Sequence, residues 1–381
     1  MMKKCFAALL AALMLLSGAS AELTVQDAGL ALGAGNVRYP QVTGFDDPVL
    51  EAAVNQAVLE GGEIGARLDR ITLLISQETS VTTGYDYDAE AFAGGVLSCV
   101  FESTGAVTEM RPTHVYNAVN IDLTTGQAIT LADLFIDETA AVEALESYMW
   151  DEVAYDLSAH LQNSDLTPLP DTFTISDTGV TFWYPIRQLS TLSDRAGAVT
   201  VLWCEIRDHL RLGEGSILRR IGAEANIMPG TRESVAQALA GGSIPGIPAV
   251  LGGSVKEAVD MYRELADSDF YQDGRLFQLE DASFRRVYLM TDNLSAGWDS
   301  SVIRGIRADR ANVCGLMCGV TTMDEWRAIL GEPDATVVLD ADAADAYRLE
   351  AGTSDYYAIG EDQLRLHADE SGVLQNLFLL D

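Results

Sequence analysis

Residues 113–136, THVYNAVNIDLTTGQAITLADLFI, decide how this chain reads. The segment 115–123 is rich in β-forming residues, and Thr124-Thr125-Gly126 breaks it. Ile129-Thr130-Leu131 then leads into a short helix with Leu131, Leu134 and Phe135 at helical spacing. A strand, a tight turn and a helix follow in that order. No nucleophile, base or metal ligand stands here in a recognisable arrangement, so the stretch specifies architecture rather than chemistry.

Upstream, Asp46-Asp47-Pro48 opens a helix with Leu50, Val54, Ala57 and Val58 on one face. Strands are expected at 71–82 and 94–102, separated by the polar run YDYDAE. Downstream, Leu145, Met149, Val153 and Leu157 predict a longer helix over 140–161. Segments 173–175 and 180–184, joined by Asp177-Thr178-Gly179, predict a hairpin, and 198–206 a further strand. Helix and strand mix without regular βαβ alternation, so the fold class is α+β, with helices set against antiparallel sheet.

Residues 212–253 differ in character. Glycine and proline cluster in GGSIPGIPAVLGG, the composition of a linker, with one helical fragment near 232–239. From 254 onward SVKEAVDMYREL is an amphipathic helix with Ser254 as its cap, followed by strands near 284–290 and 301–308. GLMCGVTTMDEWRAILG then predicts a helix capped by Thr321 or Thr322, burying Met323, Trp326, Ile329 and Leu330 and stopped by Gly331 and Pro333. Strands at 336–339, 356–359, 363–367 and 373–379 complete a small helix and β-meander domain. The expected organisation is a signal peptide at 1–21 and an α+β domain at 22–211, with subdomains at about 35–108 and 109–210. A linker at 212–253 and a C-terminal domain at 254–381 follow.

The start of the chain sets the expected compartment. Lys3 and Lys4 precede an apolar run of eleven residues at 6–16, and Ala19-Ser20-Ala21 is a small-x-small cleavage site. That run is shorter than the ~20 residues a spanning helix needs, and no later segment replaces it. A secreted or cell-surface bacterial protein without a transmembrane segment after cleavage is expected. The formal charge is −33, and −35 once residues 1–21 are removed. Such a charge repels nucleic acid and anionic lipid, and it attracts cationic partners as readily as it confers solubility.

Export permits disulfides among Cys99, Cys204, Cys314 and Cys318. Cys314 could join Cys318 across glycines, and Cys99 could meet Cys204 in one sheet; buried free thiols are the alternative. No metal is expected, because the cysteine spacing is not Cys-x2-Cys and no histidine lies close by. Asp340, Asp342 and Asp345 lack the glycine and glutamate of a calcium loop and read as a solvated acidic segment.

At this point a resemblance emerges. Residues from about 35 to 210 resemble the paired extracytoplasmic domains of unknown function in the lysozyme-sensing anti-sigma-V factor of Gram-positive bacteria. Some secreted peptidoglycan deacetylases carry the same pair. The matching pieces are VLSCVFES, VNIDLTTGQAITLADLF, DTGVTFWYP and AVTVLWCEIRDHL. The family's glycine-rich loop before its N-D-L-x-T-G strand is replaced here by STGAVTEMRPTH, ending at His114. The chain has no spanning helix of a sensor. A deacetylase binds its metal through an aspartate and two histidines on one helix, and His114, His160, His209 and His367 are too dispersed for that. Gly44-Phe45-Asp46-Asp47 is better explained as a helix start. The C-terminal domain resembles the β-lactamase-inhibitor-protein-like fold, through Gly315-Leu316-Met317-Cys318-Gly319-Val320-Thr321 and Leu330-Gly331-Glu332-Pro333. These resemblances imply a binding module rather than an enzyme.

There is no Gly-x-Ser-x-Gly elbow, phosphate loop, zinc-protease helix or dinucleotide fingerprint. No catalytic residue and no cofactor is assigned. Candidate binding residues are Trp183, which alternates against Phe182 and Tyr184, then Tyr85 and Tyr87 in the YDYD run, and His114. The expected function is a secreted, non-catalytic binding module of the cell envelope. Its ligand would be a cationic, lysozyme-like protein or a cell-wall glycan. The alternatives are an enzyme acting on wall polymer through an unrecognised site and a structural envelope-assembly factor.

Overall fold

Strict alternation of side chains builds the first sheet. Leu97, Cys99 and Phe101 of one strand are buried on the face opposite Ser98, and Val119 and Ile121 of the next strand join them. The computed structural model describes residues 23–32, 35–76, 81–107, 113–149, 168–184, 197–262, 265–271, 274–280, 286–295 and 297–381. The expected signal segment, and Val153 and Leu157 of the long helix, lie outside the described residues. The architecture is α+β.

Strands β1 (Thr24–Leu32), β2 (Gly35–Thr43), β3 (Val81–Phe92), β4 (Val96–Val107), β5 (Thr113–Asp122) and β6 (Gln127–Ala128) form one six-stranded sheet in chain order. Its β2–β3 pair is parallel, with Gly35 opposite Thr83. A parallel pair requires a crossover, and helices α1 (Pro48–Gly61) and α2 (Ile64–Ser76) supply it. This overturns the strand expected from residue 71. The apolar run around Ile71 fits either element locally, and the crossover makes it helical. Asp47 caps α1 by accepting from Val49 N at 2.8 Å. The helices cover one sheet face, burying Val54, Val58, Ile64 and Ile71 against Phe101 and Ile121. Truncating a residue as buried as Phe101 costs about 3–5 kcal/mol. Because β4 pairs with β5 from Val96–Asp122 to Gly105–Thr113, the two expected subdomains share a single sheet.

The opposite face carries helices α3 (Leu131–Leu134) and α4 (Glu138–Tyr148) and a small sheet. That sheet contains β7 (Phe173–Ile175), β8 (Gly179–Tyr184) and β9 (Gly197–Leu202). A 3-10 segment, Trp203–His209, replaces the end of the strand expected to run to 206.

Residues 212–253 are no linker. Helices α5 (Ile217–Arg220) and α6 (Ala223–Ile227) bury Ile217, Leu218, Ile221 and Ile227 in the core of the small sheet. Helix α7 (Arg232–Leu239) and the Gly-Pro segment after it bury Val235, Leu239, Ile244 and Ile247 in the C-terminal core. Glycine and proline here shape tight turns within packed chain rather than a flexible spacer.

The C-terminal domain is one eight-stranded antiparallel sheet with helix α8 (Val255–Tyr262) and helix α9 (Met323–Leu330). Its strand order is β10 (Leu265–Tyr271), β11 (Gly274–Glu280), β12 (Arg286–Thr291), β13 (Gly305–Ala308), β19 (Leu374–Leu380), β18 (Asp362–Asp369), β17 (Gly352–Ile359) and β16 (Ala335–Leu339). The two short strands β14 (Asn312–Val313) and β15 (Leu316–Met317) and helix α10 (Ala341–Asp345) complete it. Thr322 caps α9 in a capping box with Glu325, and Gly331 ends it at φ +83°, as the sequence indicates. Asp340 caps α10, which gives the acidic run a structural role. No helix of the described residues is long and apolar enough to cross a membrane.

Candidate functional site

The segment that decides the fold is held by a clamp. Asp122, at the end of β5, accepts from Thr124 N at 2.8 Å and from Thr124 Oγ1 at 2.7 Å, closing the turn in which Gly126 stands at φ +73°. Arg220 of α5 donates to both Asp122 oxygens, at 2.8 and 2.7 Å, and to the carbonyls of Gly94 and Gly95 at 2.9 and 2.8 Å. That fork holds the Asp122 carboxyl down at about 2. The backbones approach so closely that a Cβ on Gly94 would lie 2.1 Å from the Arg220 carbonyl oxygen. All these donors and acceptors are engaged, so the diagnostic motif is a structural lock.

One groove with room for a ligand lies at a corner. Strand β7 docks on the first sheet through Ile175 N donating to Ser98 Oγ at 3.0 Å and Asn120 Nδ2 donating to the Phe173 carbonyl at 2.9 Å. Phe182 and Tyr184 of β8 are buried on one side of the small sheet, as expected. On its other side Trp183 is half-buried, its indole N–H donating to Thr174 Oγ1 at 3.0 Å and its ring 4.6 Å from that of Tyr116. Trp183, Thr174 and Thr181 form one wall of a groove of about 380 Å³, and Asp88, Glu90 and Val100 of the first sheet form the other. Among the described lining residues there is no lysine or arginine. Partial burial, with Asp177 and Asp88 nearby, pushes the Glu90 carboxyl above its ordinary range. The pattern Tyr-Asp-Tyr-Asp-Ala-Glu explains how the acids arrive there. It is no turn but part of β3, whose even positions Asp88 and Glu90 face the groove while its odd positions face the helices.

The same alternation removes Tyr85 from the binding candidates. Tyr85 is fully buried, stacked on Phe101 at 5.7 Å, and its hydroxyl donates to the Gly62 carbonyl. Tyr87 is half-buried, its hydroxyl donating to Asp27 and its ring lying 5.8 Å from the Arg38 guanidinium. Both serve the first core rather than a ligand surface. His114 stands in β5 opposite Thr104, and its side chain lies outside the described residues. Of the four aromatic and histidine candidates, Trp183 alone lines the groove.

The four thiols are free, which corrects both expected disulfides. Cys99 lies in the core beneath α1, whereas Cys204 packs with Leu202 and Met317. Cys314 stands at φ +50° in the C-terminal core, while Cys318 Sγ turns toward the Ala308 carbonyl at 3.8 Å. Burial raises all four thiols, Cys99 and Cys204 most strongly, with that of Cys318 pushed up to about 12. Among the described residues no group of three or more His, Cys, Asp or Glu side chains is placed to hold a metal ion.

Two buried polar groups escaped the sequence reading. Asp355 accepts from Arg327, Trp326 and Thr336, at 2.6–3.0 Å, and is fully enclosed. His367, also enclosed, donates from Nε2 to the Glu350 carbonyl at 3.0 Å and accepts at Nδ1 from Ser354 Oγ at 2.9 Å. Burial holds its imidazole down at about 4. Neither faces solvent, so neither is placed to meet a substrate.

No protein-family model matches the sequence, and no curated protein matches it. Several solved structures are similar in part, among them the following three. A DUF3298-family protein from Bacteroides fragilis gives a TM-score of 0.41 at 12% identity, covering 53% of this chain and 98% of that one. A DUF3298-family protein from Pseudomonas aeruginosa gives 0.37 at 13%, covering 50% and 93%. A DUF4309-family protein from Bacillus subtilis gives 0.30 at 13%, covering 39% and 97%. Each belongs to a family whose name leaves function open, so the site's chemistry is read from this chain alone.

Proposed function

We propose that this is an extracytoplasmic, non-catalytic recognition protein that takes a cationic group into the corner beneath Trp183. One observation carries the reading: the Trp183 side chain and the carboxylates Asp88 and Glu90 share a groove whose described lining holds no basic side chain. An ammonium or guanidinium seated there gains a cation–π contact of about 0.5–2 kcal/mol. It also offsets the burial, and the repulsion from Asp177 and Asp88, that raise Glu90. The charge of −33 speeds the encounter with a basic partner. The signal-like start and the resemblance of residues 35–210 to the lysozyme-sensing domain pair favour a lysozyme-like protein, with an amine-bearing wall glycan second. The β-lactamase-inhibitor-protein-like resemblance of the C-terminal domain supports a binding role as well.

Retention on immobilised lysozyme at low and high salt tests this. The wild-type chain should be held at low salt and released at high salt, and Trp183→Ala and Glu90→Gln should weaken retention. No retention at low salt removes this ligand, and unchanged retention by Trp183→Ala removes the groove. The raised Glu90 beside Asp88 favours a second reading, acid–base attack on wall polymer. Turnover of peptidoglycan that Glu90→Gln abolishes would decide for it.

A further inference from the structure

Five side chains stand in one row on the face of the eight-stranded sheet turned away from the C-terminal core. Cross-strand register sets Tyr288 opposite Arg307, Arg307 opposite Phe378, Phe378 opposite Arg365 and Arg365 opposite Tyr356. Aromatic rings and guanidinium groups therefore alternate across β12, β13, β19, β18 and β17. The Arg307 guanidinium carbon lies 4.4 Å from the Tyr288 ring centre and 5.8 Å from that of Phe378. That of Arg365 lies 4.6 Å from Phe378, 5.4 Å from Tyr356 and 5.5 Å from Tyr347.

The two arginines differ in their partners. Arg307 is spent: it pairs with Asp309 at 3.1 Å and donates to the Arg348 carbonyl at 2.7 Å. Arg365 is 4% exposed and donates only from Nε, to Ser354 Oγ at 3.1 Å; its buried Nη2 has no partner. Ser354 gives its own proton to His367, so no anion stands in that chain of hydrogen bonds. A buried guanidinium without a counter-ion carries a desolvation cost that cation–π contacts offset only in part. Acids are not scarce in this chain, with 57 Asp and Glu against 24 Lys and Arg. Yet none of the described carboxylates is within ion-pair reach of Arg365.

We infer that Arg365 anchors a carboxylate-binding site, its unspent edge reading the two oxygens of the ligand between the half-buried rings of Tyr347 and Tyr356. A carboxylate fits better than a phosphate group. One edge of one guanidinium matches a planar monoanion, while a dianion calls for further donors that Arg307 cannot supply. The flanking rings exclude water and so strengthen the charge-assisted pair. This site lies in a different domain from the Trp183 groove, takes the opposite charge and does not depend on that reading.

Thermal unfolding of the full chain in acetate and in chloride at equal ionic strength tests the site. A second arm compares a glutamate-bearing hexapeptide with its glutamine counterpart. Saturating carboxylate should raise the wild-type Tm by about 3 °C. Arg365→Lys, which keeps the charge and loses the fork, should retain less than about a third of that shift. A response to acetate assigns a free small carboxylate; a response to the glutamate peptide alone assigns an acidic side chain. Equal melting of the wild type in every matched pair overturns the site, as does a full shift in Arg365→Lys. Should Arg365→Lys not fold, Tyr356→Leu opens one wall and should halve the shift, and an unchanged shift there counts against the site.

Discussion

Replacing Arg220 by methionine keeps much of the apolar stem of α5 and removes the fork that locks the turn at 122–126. Two quantities set the magnitude. The Asp122 carboxyl is held at about 2, against about 3.9 in an unfolded chain. The difference corresponds to about 2.5 kcal/mol, of which the Arg220 fork supplies the larger share, roughly 1.5–2 kcal/mol, and the Thr124 hydrogen bonds, which survive the substitution, the rest; both side chains are at least four-fifths buried, so screening discounts it little. The carbonyls of Gly94 and Gly95 also lose their donors, adding roughly 1 kcal/mol after partial rehydration. A total of about 2–3 kcal/mol is expected, read as a lower urea midpoint for the unit containing the first sheet. Because the folded carboxyl lies below its unfolded value, the contribution is complete above about pH 4 and fades as pH falls through 2. The gap between wild type and Arg220→Met should therefore narrow toward pH 2, to the roughly 1 kcal/mol that the two carbonyls contribute. In a double-mutant cycle Asp122→Asn and Arg220→Met should couple by about 2 kcal/mol. A loss below about 1 kcal/mol, or strict additivity, would refute the clamp.

Other outcomes follow from the same structure. Gly94→Ala places a methyl against the Arg220 carbonyl and should cost about 2–4 kcal/mol in the same urea experiment, whereas Gly65→Ala, with open space around it, should cost little. His367 is held at about 4 against an unfolded value near 6.5, so the unfolded state binds the extra proton between those values. Stability should drop by up to about 3 kcal/mol as pH falls from 6.5 to 4, and His367→Gln should flatten that slope. A fragment 230–381 should fold, and 254–381 should fail to, because the shorter piece lacks Val235, Leu239, Ile244, Ile247 and Ala249 of the core, each contributing about 1–3 kcal/mol. Circular dichroism of the two fragments decides that point. At the groove, Trp183→Ala should leave the melting temperature within about 2 °C of wild type while weakening capture of a cationic ligand, since its ring is only half-buried.

Packing explains why some of this was legible early and some was not. The strand and turn around Asp122, the caps at Asp47 and Thr322 and the stop at Gly331 depend on neighbours within a few residues. Trp183 could be singled out because alternation along a strand needs no partner to be visible. Residues near Ile71 and the YDYDAE run misled for one reason: local polarity and branching do not reveal a parallel crossover or which neighbour a strand will meet. The Gly-Pro composition of 241–253 has the look of a spacer until Ile244 and Ile247 are seen in a core.

By itself the sequence determined the α+β class, most strand and helix positions in the C-terminal domain, and an acidic surface. These rest on periodicity, capping and net charge, all short-range or additive properties. The tertiary structure alone decided that Arg220 closes on Asp122 across 98 positions, that Asp88 and Glu90 meet Trp183, and that Arg365 is left without a counter-ion. Those outcomes depend on which faces meet, and chain separation hides that from any local reading.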